Sequence, residues 1–321
     1  MISQPKALMG FLMPLPDKFL DRLKLILPPE KYTQIVESFT KPNTLCIRIN
    51  TLKVTIEEAK AYLDSKQILF NPISWSTTAL ILPNCDKLIL RDDVWVLEGK
   101  IYIQELSSQL PVNILNPLPQ DKVLDMCAAP GSKTTQLSAY MQNQGHIVAI
   151  EAIRSRYYRL KANCERAGAT NVKMHCLDGR RYRSEDLFDK ILVDAPCSSE
   201  GRFETDNAKS FGYWSLRKIK EMSKKQKGLL LSATRLLKKG GSILYSTCTF
   251  APEENEAVID WVLRKTDGQI SLVPIELNDL PRMDAIKSLA KRTFDPSITH
   301  TYRILPTQNH SGFFLAKLVS N

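Results

Sequence analysis

The sequence predicts an α/β protein with a doubly wound, mostly parallel sheet, preceded by a small helical and α+β module. Three observations predict it. Short, apolar, β-branched runs alternate with helical patterns through the later two thirds of the chain, as parallel strands covered on both faces do. Before Asn116-Pro-Leu-Pro the order is different, with helices first and strand-like pieces after, which marks a separate layer. The most distinctive residue clusters fall at the carboxyl ends of the predicted parallel strands, where open α/β sheets bind ligands. The change of pattern divides the chain into units 1–115 and 116–321.

The elements follow in order. Two helices open the chain, Asp17–Leu27 and Pro29–Ser38, the second with proline where a missing N–H is harmless. Leu45–Asn50 reads as a strand. Thr55–Ser65 reads as an amphipathic helix, with Thr55 as N-cap and Glu58 completing a capping box. Strand-like pieces follow at Ala79–Leu82, Leu88–Leu90 and Val94–Leu97. In the second unit, strands are predicted at Lys122–Cys127, His146–Glu151, Val172–Leu177, Asp189–Asp194 and Ser242–Thr247. Helices are predicted at Ser132–Met141, Arg154–Ala167, Ser215–Lys238 and Pro252–Arg264. Residues 276–296 fit no period.

Composition narrows the class. A chain of 321 residues that is 43% hydrophobic can bury a core without disulfide or metal staples. A formal net charge of +10 favours a polyanionic partner, either nucleic acid or an acidic membrane surface. None of the seven cysteines sits in a Cys-x-x-Cys pair, which argues against a zinc ribbon or a thioredoxin-like motif, and no metal is expected. Free thiols point to a reducing compartment. The opening MISQPKALMGFLMPLPDKF is apolar only in pieces broken by proline, unlike a signal peptide. No run approaches the ~18 apolar residues of a membrane span. A cytoplasmic protein without a membrane partner is expected, and a monomer is favoured.

The first predicted strand of the second unit runs into Asp125-Met-Cys-Ala-Ala-Pro-Gly-Ser-Lys133, after which a helix begins. A tight turn of small residues lets a ligand approach the backbone and the free N–H groups of the helix. The turn is neither G-x-G-x-x-G nor a P-loop. Glu151 closes the second strand and Asp178 follows the third. An acid after strand two can accept from both ribose hydroxyls, and Asp178 is placed to accept from an adenine amino group. A nucleoside bearing a sulfonium suits such a ring of acids. Ordinary loop acids are the competing explanation, weaker for the pair than for either residue alone.

The fourth strand ends in Asp194-Ala-Pro-Cys197-Ser-Ser-Glu-Gly-Arg, and the fifth in Tyr245-Ser-Thr-Cys248-Thr-Phe. Two thiols at neighbouring strand ends can face one pocket. Cytosine C5 is a poor nucleophile until a thiolate adds to C6, and a base must later remove the C5 proton. A carboxylate such as Asp194 that holds N3 protonated lowers the barrier to addition. Buried core thiols are the competing explanation; it is accepted for Cys46, Cys85, Cys164 and Cys176. Cys127, within the small-residue turn, is expected to pack or contact backbone.

At this point the sequence resembles the Nol/Nop/Sun (Fmu-type) family of RNA cytosine-5 methyltransferases. The matching segments are RINTLK (Arg48–Lys53), YIQELSSQLP (Tyr102–Pro111), VLDMCAAPGSKT (Val123–Thr134), VDAPCSSEGRF (Val193–Phe203), LLKKGGSILYSTCTFAPEENE (Leu236–Glu256) and GFFLAKL (Gly312–Leu318). They span most of the chain. The resemblance implies a Rossmann-like class I methyltransferase fold and S-adenosylmethionine as donor. It implies that Cys127, Ala128, Ala129, Pro130, Gly131, Ser132 and Lys133 form the donor loop, that Glu151 holds the ribose, and that Asp178 lies near the adenine. Asp194 would sit between donor and target base. Cys248 would be the nucleophile and Cys197 would assist proton removal and product release. In DNA cytosine-5 methyltransferases the Pro-Cys cysteine attacks instead, so the presence of both points to RNA. The family often has Gly-Gly-Lys where this chain has Gly131-Ser-Lys133, and Asp-Gly-Phe-Phe where Ser311 precedes Gly312.

The implied partner is RNA, with rRNA and tRNA both fitting, held in part by the small N-terminal module. Basic clusters at Arg154–Lys161, Arg180–Arg183 and Arg217–Lys227 could neutralise phosphates, although Arg217–Lys227 reads equally as a solvated helix face. Phe203, Tyr213 and Trp214 are candidate stacking residues or core. Asn-Pro-Pro-Tyr, typical of amino-nitrogen methylation, is absent. The rival from another class is a non-catalytic RNA-binding or ribosome-assembly factor. Loss of Cys197, Cys248 or the donor acids would favour it, and none is lost.

Overall fold

The computed structural model describes residues 13–41, 43–277 and 280–321. Part of the opening segment read against a leader, residues 1–12, lies outside the described residues. The N-terminal module comprises α1 (Asp17–Ile26), α2 (Pro29–Ser38), β1 (Leu45–Ile49), α3 (Ile56–Ser65), β2 (Asn71–Ile73), β3 (Ser76–Leu82), α4 (Lys87–Arg91), α5 (Val94–Leu97) and β4 (Ile101–Ile103). Its strands form an antiparallel sheet in the order β2-β3-β1-β4. Ile47, Ile49, Leu80 and Leu82 of that sheet bury against Ala59 and Leu63 of α3. The expected capping box starts α3: Glu58 N donates to Thr55 Oγ1 at 3.1 Å, and Thr55 N to Glu58 Oε2 at 2.8 Å. Such a cap is worth ~1 kcal/mol.

Two expected strands in this module are helices. Leu88–Leu90 lies in α4 and Val94–Leu97 is α5. The reason is capping: Asp86 accepts from Leu88 N, and Asp93 accepts from Trp95 N. Each aspartate satisfies a first-turn donor, and that local bond outweighs the β-preference of a short apolar run.

Helix α6 (Leu106–Leu115) closes the first unit and packs on the main sheet of the second. Then come β5 (Lys122–Asp125), α7 (Ser132–Tyr140), β6 (His146–Glu151), α8 (Arg154–Ala167), β7 (Val172–Cys176), β8 (Phe188–Asp194), α9 (Leu216–Thr234), β9 (Leu237–Thr247) and α10 (Glu256–Thr266). The remaining strands are β10 (Ile270–Val273), β11 (Arg282–Met283), β12 (Ser288–Leu289), β13 (Arg292–Thr293), β14 (Tyr302–Ile304) and β15 (Phe313–Ser320). The five predicted strands lie side by side in parallel, in the order β9-β8-β5-β6-β7. Beyond β9 the sheet turns antiparallel, with β15 paired to β9 from Phe314↔Thr247 to Val319↔Ser242. The other edge of β15 is shared by β14 and β10. The doubly wound fold with an N-terminal module is thus as expected.

Two helices differ from expectation, and the second difference bears on the site. Helix α9 stops at Thr234 rather than Lys238, because Leu236 and Leu237 turn into the sheet core and Leu237 pairs with Phe188. Helix α10 starts at Glu256 rather than Pro252. Asn255 has non-helical φ and ψ of −108° and −102°, and its amide donates to Thr249 O at 2.8 Å. The segment 252–255 is spent on holding the loop after β9.

The two units are joined by a buried cation. Arg48 of β1 is 2% exposed. Its guanidinium donates to Gln104 Oε1 at 2.9 Å, Thr135 Oγ1 at 2.9 Å and the Ser132 carbonyl at 3.3 Å. A buried charge without such partners costs several kcal/mol, so the interface is specific about where α7 sits against β1. Among the described residues, no helix is long and apolar enough to cross a membrane.

Candidate active site

The chain winds outward from β5 to β6 and β7, then returns to the other side of β5 with β8 and β9. The point of reversal lies between β5 and β8, where a ligand crevice is expected. A cavity of about 310 Å³ opens there. Asp125, Cys127, Asp194, Ala195 and Cys248 line it from the strand ends, and Tyr102, Glu105 and Ser108 line it from the segment joining the two units.

The small-residue turn forms one wall. Ala128, Ala129, Pro130, Ser132 and Lys133 all border the cavity. Gly131 adopts φ of +110° at the N-cap of α7, a conformation that favours glycine. Asp125 is buried, accepts from Thr134 Oγ1 at 2.8 Å and is pushed up to about 7, chiefly by burial and against that hydroxyl.

The two outer acids are already engaged. Glu151, 4% exposed, accepts from Ile153 N at 2.8 Å and faces Arg156 Nη1 at 3.4 Å. Arg156 in turn donates to Ala129 O at 2.6 Å and lines the cavity. Asp178 caps a short turn and is gripped by Arg180, with Nη2 to Oδ2 at 2.6 Å and Nε to Oδ1 at 3.0 Å. That hydrogen-bonded guanidinium lowers the Asp178 carboxyl to about 2. Neither acid lines the cavity.

Asp194 ends β8 and is held at both oxygens. Ser246 Oγ donates to Oδ1 at 2.7 Å, and Lys133 Nζ to Oδ2 at 2.7 Å. Lys133 is buried and also donates to Ser108 Oγ at 2.8 Å. Lys133 therefore bridges the donor turn, the α6 start and β8.

The two cysteines meet. Cys197 Sγ and Cys248 Sγ lie 3.3 Å apart. The shared hydrogen bond splits their acidities. Cys248 is lowered to about 6, first by the Cys197 thiol and then, against burial, by the positive charge of Arg202. Cys197 is driven well above the ordinary thiol value by the same hydrogen bond and by burial. The pair thus favours a thiolate on Cys248 over one on Cys197. Arg202 borders the cavity and reaches Glu105 Oε2 at 3.4 Å.

Other expectations meet mixed outcomes. Phe203 is buried with Phe19 and Phe39 and is core, while Trp214 is half-buried and packs edge-on to Phe19 at the margin of that cluster. Tyr213 is 88% exposed. Cys176 is exposed, not a core thiol, because the last residue of β7 faces outward, and Cys85 is only half-buried. Arg217, Lys220 and Lys224 lie on the exposed face of α9, whose other face buries Ile219, Met222, Leu229 and Leu230. Residues without an expected role that the fold brings to the cavity are Arg202, Ser108, Glu105 and Phe313. Arg202 and Phe313 stood inside quoted segments, but only the fold turns them towards Cys248. Among the described residues, no group of His, Cys, Asp or Glu could hold a metal ion.

A Rossmann-like sheet with a cavity at its reversal point is the frame of a nucleotide- or nucleoside-binding α/β protein, and comparison with known proteins places it among the methyltransferases. The family described as 16S rRNA methyltransferase RsmB/F matches residues 112–319, and the N-terminal domain of 16S rRNA methyltransferase RsmF matches residues 15–106. The chain is 38% identical over 297 residues to tRNA (cytosine(49)-C(5))-methyltransferase of Pyrococcus abyssi, covering 90% of this chain and 94% of that protein. It is 40% identical over 266 residues to ribosomal RNA small subunit methyltransferase F of Aeromonas salmonicida, covering 80% of this chain and 56% of that one. The chain thus spans little more than half the length of the latter relative. A solved methyltransferase homologue from Pyrococcus horikoshii superposes with a TM-score of 0.83 at 32% identity, covering 96% of both chains. This chain belongs to the RsmB/F family of RNA cytosine-5 methyltransferases, as the resemblance to Nol/Nop/Sun proteins led one to expect.

Proposed function

We propose that this protein methylates carbon 5 of a cytosine in tRNA or rRNA, with S-adenosylmethionine as donor and Cys248 as the attacking thiolate. The observation that carries the proposal is the 3.3 Å contact between two thiols of opposite acidity beside Asp194. The cavity chemistry fits the donor: small residues leave the backbone of 127–130 open, and the Asp194 carboxylate offers negative charge to a sulfonium. Cys127 to Lys133 would hold the donor, with Glu151 at the ribose and Asp178 at the adenine. When bound, the donor supplies an electrophilic methyl group.

The protein's own residues do the rest. The Cys248 thiolate adds to C6, and the C5–C6 electron pair moves to C5, which can then take the methyl group. Asp194, fixed by Lys133 and Ser246, keeps the N3 proton in place and stabilises the adduct. Once Cys248 is bonded to carbon, its negative charge is gone. That charge and hydrogen bond had held the proton on Cys197. Cys197 can then ionise and take part in removing the C5 proton, after which the C6–S bond opens and Cys248 leaves as a thiolate.

The N-terminal module, residues 1–115, would help hold RNA beside the catalytic unit, 116–321. Exposed Tyr213 and the basic face of α9 suit single-stranded RNA. The free thiols suit the cytoplasm, and a monomer suffices because one chain carries the whole cavity. The test is Cys197→Ala expressed in cells. A nuclease-sensitive, slow-migrating protein–RNA band on a denaturing gel is expected, absent from the Cys197→Ala/Cys248→Ala double variant. A band that persists in the double variant would overturn the assignment of Cys248. Sequencing the trapped RNA would separate tRNA from rRNA.

A further inference from the structure

Beneath the thiol pair lies a cluster of buried side chains that the chemistry above does not use. Two loops carry the cysteines, 195–202 after β8 and 248–255 after β9, and each supplies a carboxylate to the other. Glu254, on the Cys248 loop, accepts from Ser198 N at 3.0 Å, next to Cys197. Glu200, on the Cys197 loop, accepts from Phe250 N at 3.0 Å and Thr249 Oγ1 at 2.9 Å, next to Cys248. Both carboxylates are at most 1% exposed. Ser198 Oγ also contacts Glu254 Oε1, and meets Thr249 Oγ1 at 2.7 Å. The cross is anchored from outside by Gln226, which donates to Glu254 Oε2 at 2.8 Å and Pro196 O at 2.9 Å, and by Trp214, whose Nε1 donates to Glu200 Oε1 at 2.8 Å. The Gly201 N–H donates to Cys248 O at 2.9 Å, and a Cβ on Gly201 would stand 2.1 Å from Gly312 O. The loops have no space in which to drift.

We propose that Glu200 and Glu254 are positioning residues, a reciprocal clasp that holds the Cys197 thiol against Cys248. This rests on the reading of the two cysteines as the working pair. A thiol–thiol hydrogen bond depends steeply on separation, and nothing covalent joins the two loops. The clasp supplies the constraint, because moving either loop breaks hydrogen bonds made by both.

Counting protons makes the two glutamates unequal. The chain Glu254–Ser198–Thr249–Glu200 contains three oxygen–oxygen contacts but only two hydroxyl protons, so one carboxyl must carry the third. Both Glu200 oxygens are already taken by N–H donors, Oε2 by Phe250 N–H as well as Thr249 and Oε1 by Trp214 Nε1–H, whereas Glu254 Oε1 meets Ser198 Oγ alone, its N–H donors Ser198 N and Gln226 Nε2 both going to Oε2. The extra proton therefore belongs on Glu254, where it points to Ser198 Oγ. Burial pushes Glu254 up to about 8, in the same sense. A glutamine at 254 reproduces this pattern, with its NH₂ donating to Ser198 Oγ and its oxygen facing Ser198 N and Gln226. A glutamine at 200 cannot, since its NH₂ would face either the indole N–H or the Phe250 N–H.

The experiment is the pH dependence of Cys248 alkylation by iodoacetamide, read peptide by peptide by mass spectrometry in the full-length protein without RNA. Exposed Cys176 serves as an internal standard, and a thermal melt monitors folding. Wild type and Glu254→Gln are expected to share one Cys248 midpoint. Glu200→Gln and Glu254→Ala are expected to shift it upward by about one pH unit, so that Cys248 reacts about tenfold more slowly on the acid side. Should Glu254→Ala fail to fold, the two glutamine variants still decide. Equal midpoints in those two, whether shifted or not, would overturn the proposal. Failure of the wider mechanism would show separately, as RNA methylation retained by Cys248→Ala.

Discussion

The strand ends on the two sides of the reversal point are built on opposite plans. After β6 and β7 the acids, which do not line the cavity, are occupied: Arg156 faces Glu151 and Arg180 grips Asp178. At the thiol end the groups hold one another in place: the shared hydrogen bond lowers Cys248 and raises Cys197, and Asp194 is fixed from two sides. The difference teaches where reorganisation falls. On the proposed function, a donor nucleoside would compete with arginines for each acid, an exchange of one charge-assisted contact for another. The thiol end needs no such exchange before attack, which keeps reorganisation out of the chemical step.

Four measurements break or sharpen that contrast, in descending order of effect. Cys248→Ala is expected to lower single-turnover methyl transfer by ~1000-fold or more, while donor binding by calorimetry stays within twofold, because the thiol end and the donor end are separate. Asp194→Asn is expected to cost about 100-fold in the same assay, since the amide no longer accepts from both Lys133 and Ser246 as a charge; a loss below fivefold would remove Asp194 from the chemistry. Arg202→Gln removes the cation that favours the Cys248 thiolate. The thiol then titrates higher, so the acid limb of the pH–rate profile moves up from about 6 by roughly one unit, and the rates converge at high pH where both forms are ionised. Arg180→Ala frees Asp178 and is expected to tighten donor binding by about two- to fivefold, the scale of a partly exposed ion pair. Weaker binding would mean that Arg180 itself, not Asp178, meets the donor.

The same contrast explains what could be read from the sequence. The central parallel strands were legible because they are short apolar runs buried on both faces, edge strand β7 being less covered, and α8 was found from Arg154 to Ala167 as observed. The antiparallel side was not. Strand β15 is buried at Phe313, Phe314, Leu315 and Ala316 in succession, so it lacks the alternation that announces an antiparallel strand. Leu88–Leu90 and Val94–Leu97 went astray because Asp86 and Asp93 act through a single backbone bond each, a signal shorter than any period. At the site, the two cysteines, Asp194 and the donor turn stood out as strand-end clusters. Their electrostatic partners did not. Arg180 is two residues from Asp178, and nothing in that spacing says whether the pair closes on itself. Glu200 and Glu254 lie 54 positions apart in the chain, and their crossing depends on β8 and β9 being neighbours.

That adjacency has a consequence for motion. Strand β9 is bonded along one edge to β8 and along the other to β15, which is itself flanked by β14 and β10. A strand laddered on both sides cannot fray without undoing two ladders together, so its amides should exchange with solvent only through the largest openings of the molecule. The sulfur of Cys248 follows directly on that strand. The proposed nucleophile is therefore mounted beside a strand laddered on both edges, and on that reading the fluctuations that admit RNA and donor come from the loops around it.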